Sequence, residues 1–420
     1  MLHFVPRDLI SFLGKASLID IELGDQVEKT MSVVFADIRD FTSLSESMSP
    51  QETFNMINSY LSIMNPVIST HRGMIDKYMG DAIMALFPTS ADDAVSGAIS
   101  MLSRLDEYNA GRERADYAPI RIGIGVNTVL LMLGVIGGGN RMEGTVISHA
   151  VNLASRLETL TKTYGTPLLI SEHTLYSLSD PGKFLVRHLG RVKVAYKTQP
   201  ESIYEVFNHD APEVREQKTL SLKKFDQALA FYHTRNAARA RPMLTEIVRD
   251  NPNDIPAKVY LQRCDDFIIT GVFSGSEEFT GYVEWSQEYE LGNDEIDNQH
   301  QLLITSIDAF HEAVVNGDDR ATIAALLVTL KDRVQVHFEF EEKLMLDHHY
   351  PFASDHFAQH HSFKNFFDKL SDDIKANTDD PVYLGFRIKL FLADWLLNHT
   401  NRDDRHLGRF LHEQGLFKSH

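Results

Sequence analysis

Two rhythms of apolar and polar residues run along this chain of 420 residues, and the first gives way to the second after residue 207. In the first, short apolar runs alternate with helical ones. "MSVVFADI" reads as a strand ending in an Asp, and "FTSLSESMSPQETFNMINSYLSIMNPVIST" as a helical region with Ser49-Pro50 as its start signal. "GMIDKYMGDAIMALFP" reads as a hairpin turning at Met79-Gly80-Asp81. "ADDAVSGAISMLSRLDEYNA" is helical, and "IRIGIGVNTVLLMLGVIG" predicts two strands. "ISHAVNLASRLETLTKTYG" is a helix stopped by Gly165, and "TPLLI", "FLVRHLGRVKV" and "SIYEVF" are strands. Interleaved strands and helices predict an α/β domain, a sheet with helices packed on it.

The second rhythm is helical throughout. Residues 212–270 form an all-α linker whose Ala and aromatic spacing resembles about one and a half tetratricopeptide repeats, too few for a stable solenoid. "GVFSGSEEFTG" reads as a flexible join. Beyond it, "LLITSIDAFHEAVV", "ATIAALLVTLKDRVQVHFEFEEKLMLD", "SFKNFFDKLSDDI" and "LGFRIKLFLADWLLNHT" carry apolar residues at helical spacing. Short polar or Pro-containing breaks separate them, so 280–420 predicts a four-helix bundle. The chain therefore divides into a lead-in at 1–29, an α/β domain at 30–207, the linker and the bundle.

Composition narrows the function classes. A net charge of −18 argues against nucleic-acid binding through a basic surface. A single cysteine, Cys264, rules out an internal disulfide framework and fits a reducing compartment. The first residues lack the pattern of a secretory signal, and no apolar run approaches a membrane span. The expectation is a soluble, cytoplasmic protein.

The bundle carries a histidine ladder that folding alone does not require. His300 stands in "DNQH", His337 and Glu341 in "HFEFE", His356 and His360 in "HFAQH", and His399 and Asp404 in "HTNRDD". Residues at i and i+4 share a helix face, so two of these pairs aim two ligand-type side chains at one point. Asp404 follows His399 by five positions, so either the helix is distorted there, as π-type bulges are, or the Asp reaches round. Two metals of roughly six-fold coordination offer about twelve positions. Five His, two bridging carboxylates and a solvent-derived oxygen bridge fill about eleven, leaving one open. A lone His is more often an ordinary surface or capping residue, and His311, His348, His349, His361, His406 and His412 are read that way.

With "VEWSQEYELGNDEIDNQH", "HFEFEEKLM", "YPFASDHFAQHHSF" and "WLLNHTNRDD", the segment 280–420 resembles bacterial hemerythrins. The resemblance implies a di-iron centre, two Fe per chain. His356, His360 and His399 would hold one iron, His300 and His337 the other, and Glu341 and Asp404 would bridge. O2 or another small gas would bind at the two-His iron. Val334 and Val336 stand where the family often has an aromatic residue.

In the α/β part, Asp37 closes a strand and Asp81 sits at the hairpin turn. Paired carboxylates near a helix start can hold Mg²⁺ on a nucleoside triphosphate, although two Asp near turns are more commonly just solvated. "FADIRDFTSLSE", "IDKYMGDAIMALF" and "TVISHAVNLASRLE" together resemble class III nucleotide cyclases over about 30–207. The resemblance implies a ferredoxin-like βαββαβ core and two Mg²⁺ or Mn²⁺ ions per active site at Asp37, Ile38 and Asp81. It also implies catalytic roles for Asn152 and Arg156, and a homodimer whose two sites each take Lys77, Thr145, Asn152 and Arg156 from the second subunit. Lys77 can donate to adenine N1, and the Thr145 hydroxyl can accept from the 6-amino group, so ATP is favoured over GTP. Ser148-His149 replaces the usual Gly-Asp, Val129 the usual Gly, and Ala195-Tyr196 interrupts the usual Lys-Gly-Lys, leaving Lys193 or Lys197 to reach the triphosphate.

The expected protein is an adenylyl cyclase with a C-terminal di-iron module sensing O2 or redox state. The rivals are an O2- or iron-binding protein with a decayed cyclase domain, and a guanylyl cyclase.

Overall fold

The computed structural model describes residues 24–138, 141–147, 149–192, 201–273, 289–376, 380–388 and 394–416, with Phe12, Lys15, Leu390 and Leu392. The chain forms two compact units. One comprises 1–223, 244–263 and 275–277, and the other 224–243, 264–274 and 278–420.

Among the described residues the first unit is built on eight strands: β1 (Gln26–Ile38), β2 (Met74–Met79), β3 (Ala82–Phe87), β4 (Ile122–Gly138), β5 (Arg141–Ile147), β6 (Leu168–Ser171), β7 (Val186–Val192) and β8 (Glu201–Val206). They run in the order β2-β3-β1-β4-β6-β8-β7, with β5 paired to β4. The antiparallel set β2-β3-β1-β4 is the core of a βαββαβ domain. Its helices are α2 (Pro50–Thr70), preceded by the short α1 (Phe41–Glu46), and α3 (Ala91–Arg114). A capping box at Ser49 and Glu52, with Pro50 just inside, starts α2 where the sequence signals it. Gly80, at φ 69, makes the β2–β3 turn.

Alternation along β1 sorts its side chains between two faces. Val34, Ala36 and Ile38 pack under α2 and α3, beside Tyr60 and Met64. Met31, Val33 and Phe35 face the other way, toward Ala154 of α4 (His149–Tyr164). That helix lies almost on the strand beneath it. A Cβ on Gly125 would fall 2.2 Å from the carbonyl oxygen of Ala154. A short helix, α5 (Glu172–Tyr176), follows β6.

Two expectations need correction. The run 122–138 is one strand, not two, because it pairs without a break along the whole of β1, and its hairpin partner is 141–147. The sheet also starts earlier than residue 30: Gln26 to Lys29 already pair with Gly134 to Leu131.

The segment 212–270 folds as three helices, α6 (Pro212–His233), α7 (Ala237–Asp250) and α8 (Ile255–Thr270). Parts of it belong to each unit. The part in the first unit is tied to the sheet by buried charge. Arg187 on β7, fully enclosed, reaches Glu205 on β8 at 2.6 Å and Asp254 at 2.7 Å. Lys218 of α6 pairs with the same Glu205 and with Asp210. The Tyr260 hydroxyl donates to the Leu189 carbonyl at 2.5 Å, through space left by Gly190.

The second unit is a bundle of α9 (Asp294–Asn316), α10 (Arg320–Asp347), α11 (Ala353–Ala376) and a fourth segment. Asn293 and Asp319 cap α9 and α10 with their side chains. The fourth segment runs through α12 (Pro381–Ile388) and α13 (Asp394–His399), then a π-helical turn at Thr400–Asp404, then α14 (Arg405–Glu413). Among the described residues no helix is long and apolar enough to cross a membrane.

Candidate active site and metal centre

In the α/β unit, Asp37 and Asp81 meet. β1 delivers Asp37 opposite Gly123, and the β2–β3 turn brings Asp81 against it. Burial, and then the neighbouring Asp37, push the Asp81 carboxyl up to about 6, although N–H groups of Ile38 and of Asp81 itself pull the other way. Two carboxylates held together without a cation repel, so the pair is shaped to share positive charge. Tyr60, buried beneath, feels both: burial first, then Asp37 and Asp81, raise its phenol well above the usual range.

The other cyclase-type residues fall on three elements, β2, β5 and α4. Lys77 is half-buried on β2, just past a bulge between Ile75 and Lys77, with its Nζ 3.4 Å from Asp76. Asn152 and Arg156 are one turn apart on α4 and both exposed, while Leu153 and Leu157 turn inward. Thr145 sits on β5 opposite Gly134. Val129 is paired with Met31 and packs at the edge of the second core. Ser148, Lys193, Ala195, Tyr196 and Lys197 lie outside the described residues.

One link between these elements was not anticipated. Arg39, two residues beyond Asp37, donates to the Glu158 carboxylate of α4 at 3.1 Å. Its guanidinium passes over Gly123, where a Cβ would lie 1.8 Å from Nη2. Asp37 acts electrostatically on both partners.

In the bundle, the seven ladder residues converge into two adjoining groups. Glu341, His356, His360 and His399 form one, and His300, His337, Glu341 and Asp404 the other, with the ligand-type atoms of each group within 4.8 Å of one another. The π turn brings Asp404 to the face of His399, with Oδ1 and Nε2 3.0 Å apart. Asp404 also lies 3.1 Å from His300 and 3.3 Å from His356, and Glu341 lies 3.4 Å from His360 and 3.5 Å from His356. All seven are buried. Neither oxygen of Glu341 nor Nε2 of His337 forms a well-shaped hydrogen bond, and enclosed polar atoms in that condition are costly. Two histidine nitrogens approach His399 Nε2 at 3.1 Å each. Lone pairs crowded in this way suit cations at their centre, so the residues fit a two-metal site.

The charges say the same. Burial lowers His337 to about 3. Burial also opposes protonation of His356, yet Asp404 and Glu341 outweigh it and push that ring up to about 10. The histidine cluster in turn holds Asp404 well below the usual carboxylate range despite its burial. The enclosed carboxylates thus demand positive charge, which a cation would supply.

An outer set of side chains orients the rings, as is usual at metal sites. Gln299 lies 3.2 Å from His337 Nδ1, and Glu342 3.0 Å from His360 Nδ1. Gln359 and Asp403 lie 3.4 and 3.5 Å from His399 Nδ1. Sequence reasoning passed over them, although each is the chain neighbour of a ladder residue. About one helical turn from the ladder, an apolar cavity of about 10 Å³ is lined by Leu303, Val334, Phe338, Trp395 and Leu396 among others.

The family model described as "Adenylate and Guanylate cyclase catalytic domain" matches residues 24–207, and that described as "Hemerythrin HHE cation binding domain" matches 291–411. The chain is 35% identical over 270 residues to "Adenylate cyclase, terminal-differentiation specific" of Dictyostelium discoideum, covering 62% of this chain and 12% of that protein. It is 42% identical over 210 residues to "Adenylate cyclase" of Anabaena cylindrica, covering 49% and 42%. The chain therefore spans less than half the length of either relative. The solved adenylyl cyclase CyaB from P. aeruginosa is 30% identical, covering 43% of this chain and 95% of that one at a TM-score of 0.38. The chain thus joins a domain of the adenylate and guanylate cyclase catalytic family, at 24–207, to a domain of the hemerythrin HHE cation-binding family, at 291–411.

Proposed function

We propose that the chain is an adenylyl cyclase, converting ATP to 3',5'-cyclic AMP and pyrophosphate in a homodimer, and that its C-terminal domain regulates the reaction in response to O2 or redox state. The observation that carries the cyclase half is the pairing of Asp37 with Asp81, which leaves Asp81 pushed up to about 6. A pair so disposed is poised to hold divalent cations together with Ile38. Asp37, Ile38 and Asp81 would hold Mg²⁺ or Mn²⁺, whose charge would lower the pKa of the ribose 3'-hydroxyl and offset that of the triphosphate. Lys77 donates to adenine N1, and Thr145 accepts from the 6-amino group. Asn152 orients the ribose, and Arg156 stabilises charge on the phosphorus under attack. The exposure of Asn152 and Arg156 supports a site completed by a second subunit. A guanylyl cyclase would want a carboxylate in place of Lys77.

The ladder residues suit iron, with His356, His360 and His399 on one ion and His300 and His337 on the other. Glu341 and Asp404, each lying against histidines of both sets, would serve both ions. An iron pair there would supply O2 binding or electron exchange. Typical coupling energies of about 1–3 kcal/mol would change cyclase rates roughly 5- to 150-fold. ATP as substrate fits a cytoplasmic setting.

The test is cAMP formation by iron-loaded protein under nitrogen and under air. Two irons per chain and different rates in the two gases are expected, with deletion of 280–420 erasing the difference. Absence of cAMP in both gases, with Mg²⁺ and Mn²⁺ tried, would sink the cyclase reading. Equal rates at several ATP concentrations would sink the regulatory half alone.

A further inference from the structure

The β1 end that carries Asp37 and the helix that carries Asn152 and Arg156 are not independent. Arg39 lies on the same face of the chain as Asp37, and Glu158 lies two residues beyond Arg156 on α4. The two side chains pair at 3.1 Å, and only 12% and 11% of them is exposed. The guanidinium also contacts the Glu158 carbonyl at 3.5 Å. Its route over the sheet exists because residue 123 is Gly. Gly125 allows the α4 backbone to settle beside it. Strand, crossing cation and helix are therefore closely packed, with little slack along the line from Asp37 to Arg156.

A largely buried ion pair is a poor way simply to hold a helix on a sheet. Its desolvation cost offsets much of its attraction, and apolar residues of similar volume commonly do as well. The location gives it another use. Asp37 attracts Arg39 and repels Glu158. While the Asp37 charge is unmet, it competes with Glu158 for the guanidinium. A divalent cation meeting that charge would leave Arg39 to Glu158 alone, strengthening the tie to the helix.

We propose that Arg39 and Glu158 are positioning residues that tie the metal-binding end of β1 to the helix carrying Asn152 and Arg156, so that metal binding in one active site of a homodimer sets the geometry of the other. This rests on the shared-site cyclase reading, in which Asp37 and Arg156 of one chain serve different sites. Neither residue touches substrate. Each acts through the elements it joins.

A mixed dimer tests it. One subunit carries Asp37→Ala and the other Arg156→Ala, so a single live site takes Asp37 from the second subunit and Arg156 from the first. Glu158→Gln is then placed in the second subunit, whose own α4 contributes nothing to the live site. A fall in turnover of at least about fivefold is expected, the low end of typical couplings. It should come with a raised Mg²⁺ half-saturation and an unchanged melting midpoint. Arg39→Lys in that subunit, which keeps the charge, should recover more activity than Arg39→Gln. Unchanged turnover and Mg²⁺ requirement overturn the proposal and leave the shared site standing. A lowered melting midpoint with unchanged Mg²⁺ half-saturation means that the pair only holds the fold, and also overturns it. No activity in the mixed dimer before Glu158 is altered, with dimerisation verified, overturns the shared-site reading and this inference with it.

Discussion

Phe338 lies flat on the imidazole of His360, with ring centroids 3.8 Å apart and planes 6° from parallel. Trp395 does the same for His399, at 4.4 Å and 16°. Rings clamped on a face keep one remaining freedom, rotation in their own plane. The outer hydrogen bond to Nδ1 fixes that.

Glu342→Ala should therefore loosen metal at the three-histidine position, because His360 keeps its stacking partner but loses its in-plane restraint. Loss of such an outer partner weakens metal affinity by roughly 10- to 100-fold. Metal retained per chain after timed exposure to a chelator measures it. Retention equal to wild type would show that stacking alone orients the ring.

The Asp81 carboxyl gives a pH signature in chelator-treated protein. Its folded value, pushed up to about 6 by burial and by Asp37, exceeds the ordinary unfolded value near 4. Between those values the folded chain holds a proton that the unfolded chain has released, so stability falls as pH rises through about 4 to 6. Asp81→Asn should flatten that fall, raising the melting midpoint at pH 7.5 and leaving it little changed at pH 4. It should also abolish cAMP formation. Parallel wild-type and variant curves across the range would contradict the assignment.

Two glycines should respond in opposite senses to alanine. At Gly125 the new Cβ meets the Ala154 carbonyl at 2.2 Å and the Glu158 nitrogen at 2.4 Å, so α4 must lift from the sheet. Overpacking of that kind costs about 1–3 kcal/mol. At Gly111, inside α3, nothing lies within 4 Å, and alanine should stabilise by roughly 0.5–1 kcal/mol. Thermal melts of the two variants decide both. Gly125→Ala should lower cyclase rate as well, since α4 carries Arg156.

Arg187→Ala should be among the most damaging single changes in the first unit. It strands Glu205 and Asp254 in the interior, and breaking a buried pair by removing one partner costs about 3–5 kcal/mol. A denaturant midpoint within error of wild type would mean that water or another cation fills the gap.

What the sequence made legible follows from where each signal resides. The β2–β3 hairpin and the α2 start were readable because Gly80, Ser49 and Pro50 act locally. The convergence of the bundle side chains was readable because helical spacing and residue type together define a face. The strand 122–138 was misread because nothing local distinguishes one long strand from two. Its unbroken pairing with β1 decides the matter, and that is a tertiary fact. The Arg39–Glu158 pair spans 119 positions and was invisible for the same reason. Gln299, Glu342, Gln359 and Asp403 left a trace, since each stands beside a ladder residue. Which ring each one serves depends on how the helices face one another.

The π turn at Thr400–Asp404 has one more effect. A residue added to an α-helix would rotate everything after it by roughly 100° unless the turn widens to absorb it, as a π turn does. The same widening that brings Asp404 to the face of His399 also aims Leu407 and Leu411 of α14 into the core they share with Ile296 and Met345. Winding these same residues as regular α-helix would withdraw a carboxylate from the metal centre and turn two core leucines away at once. The metal centre and the leucine core therefore depend on one local departure from α-helical winding, and neither can be placed without the other.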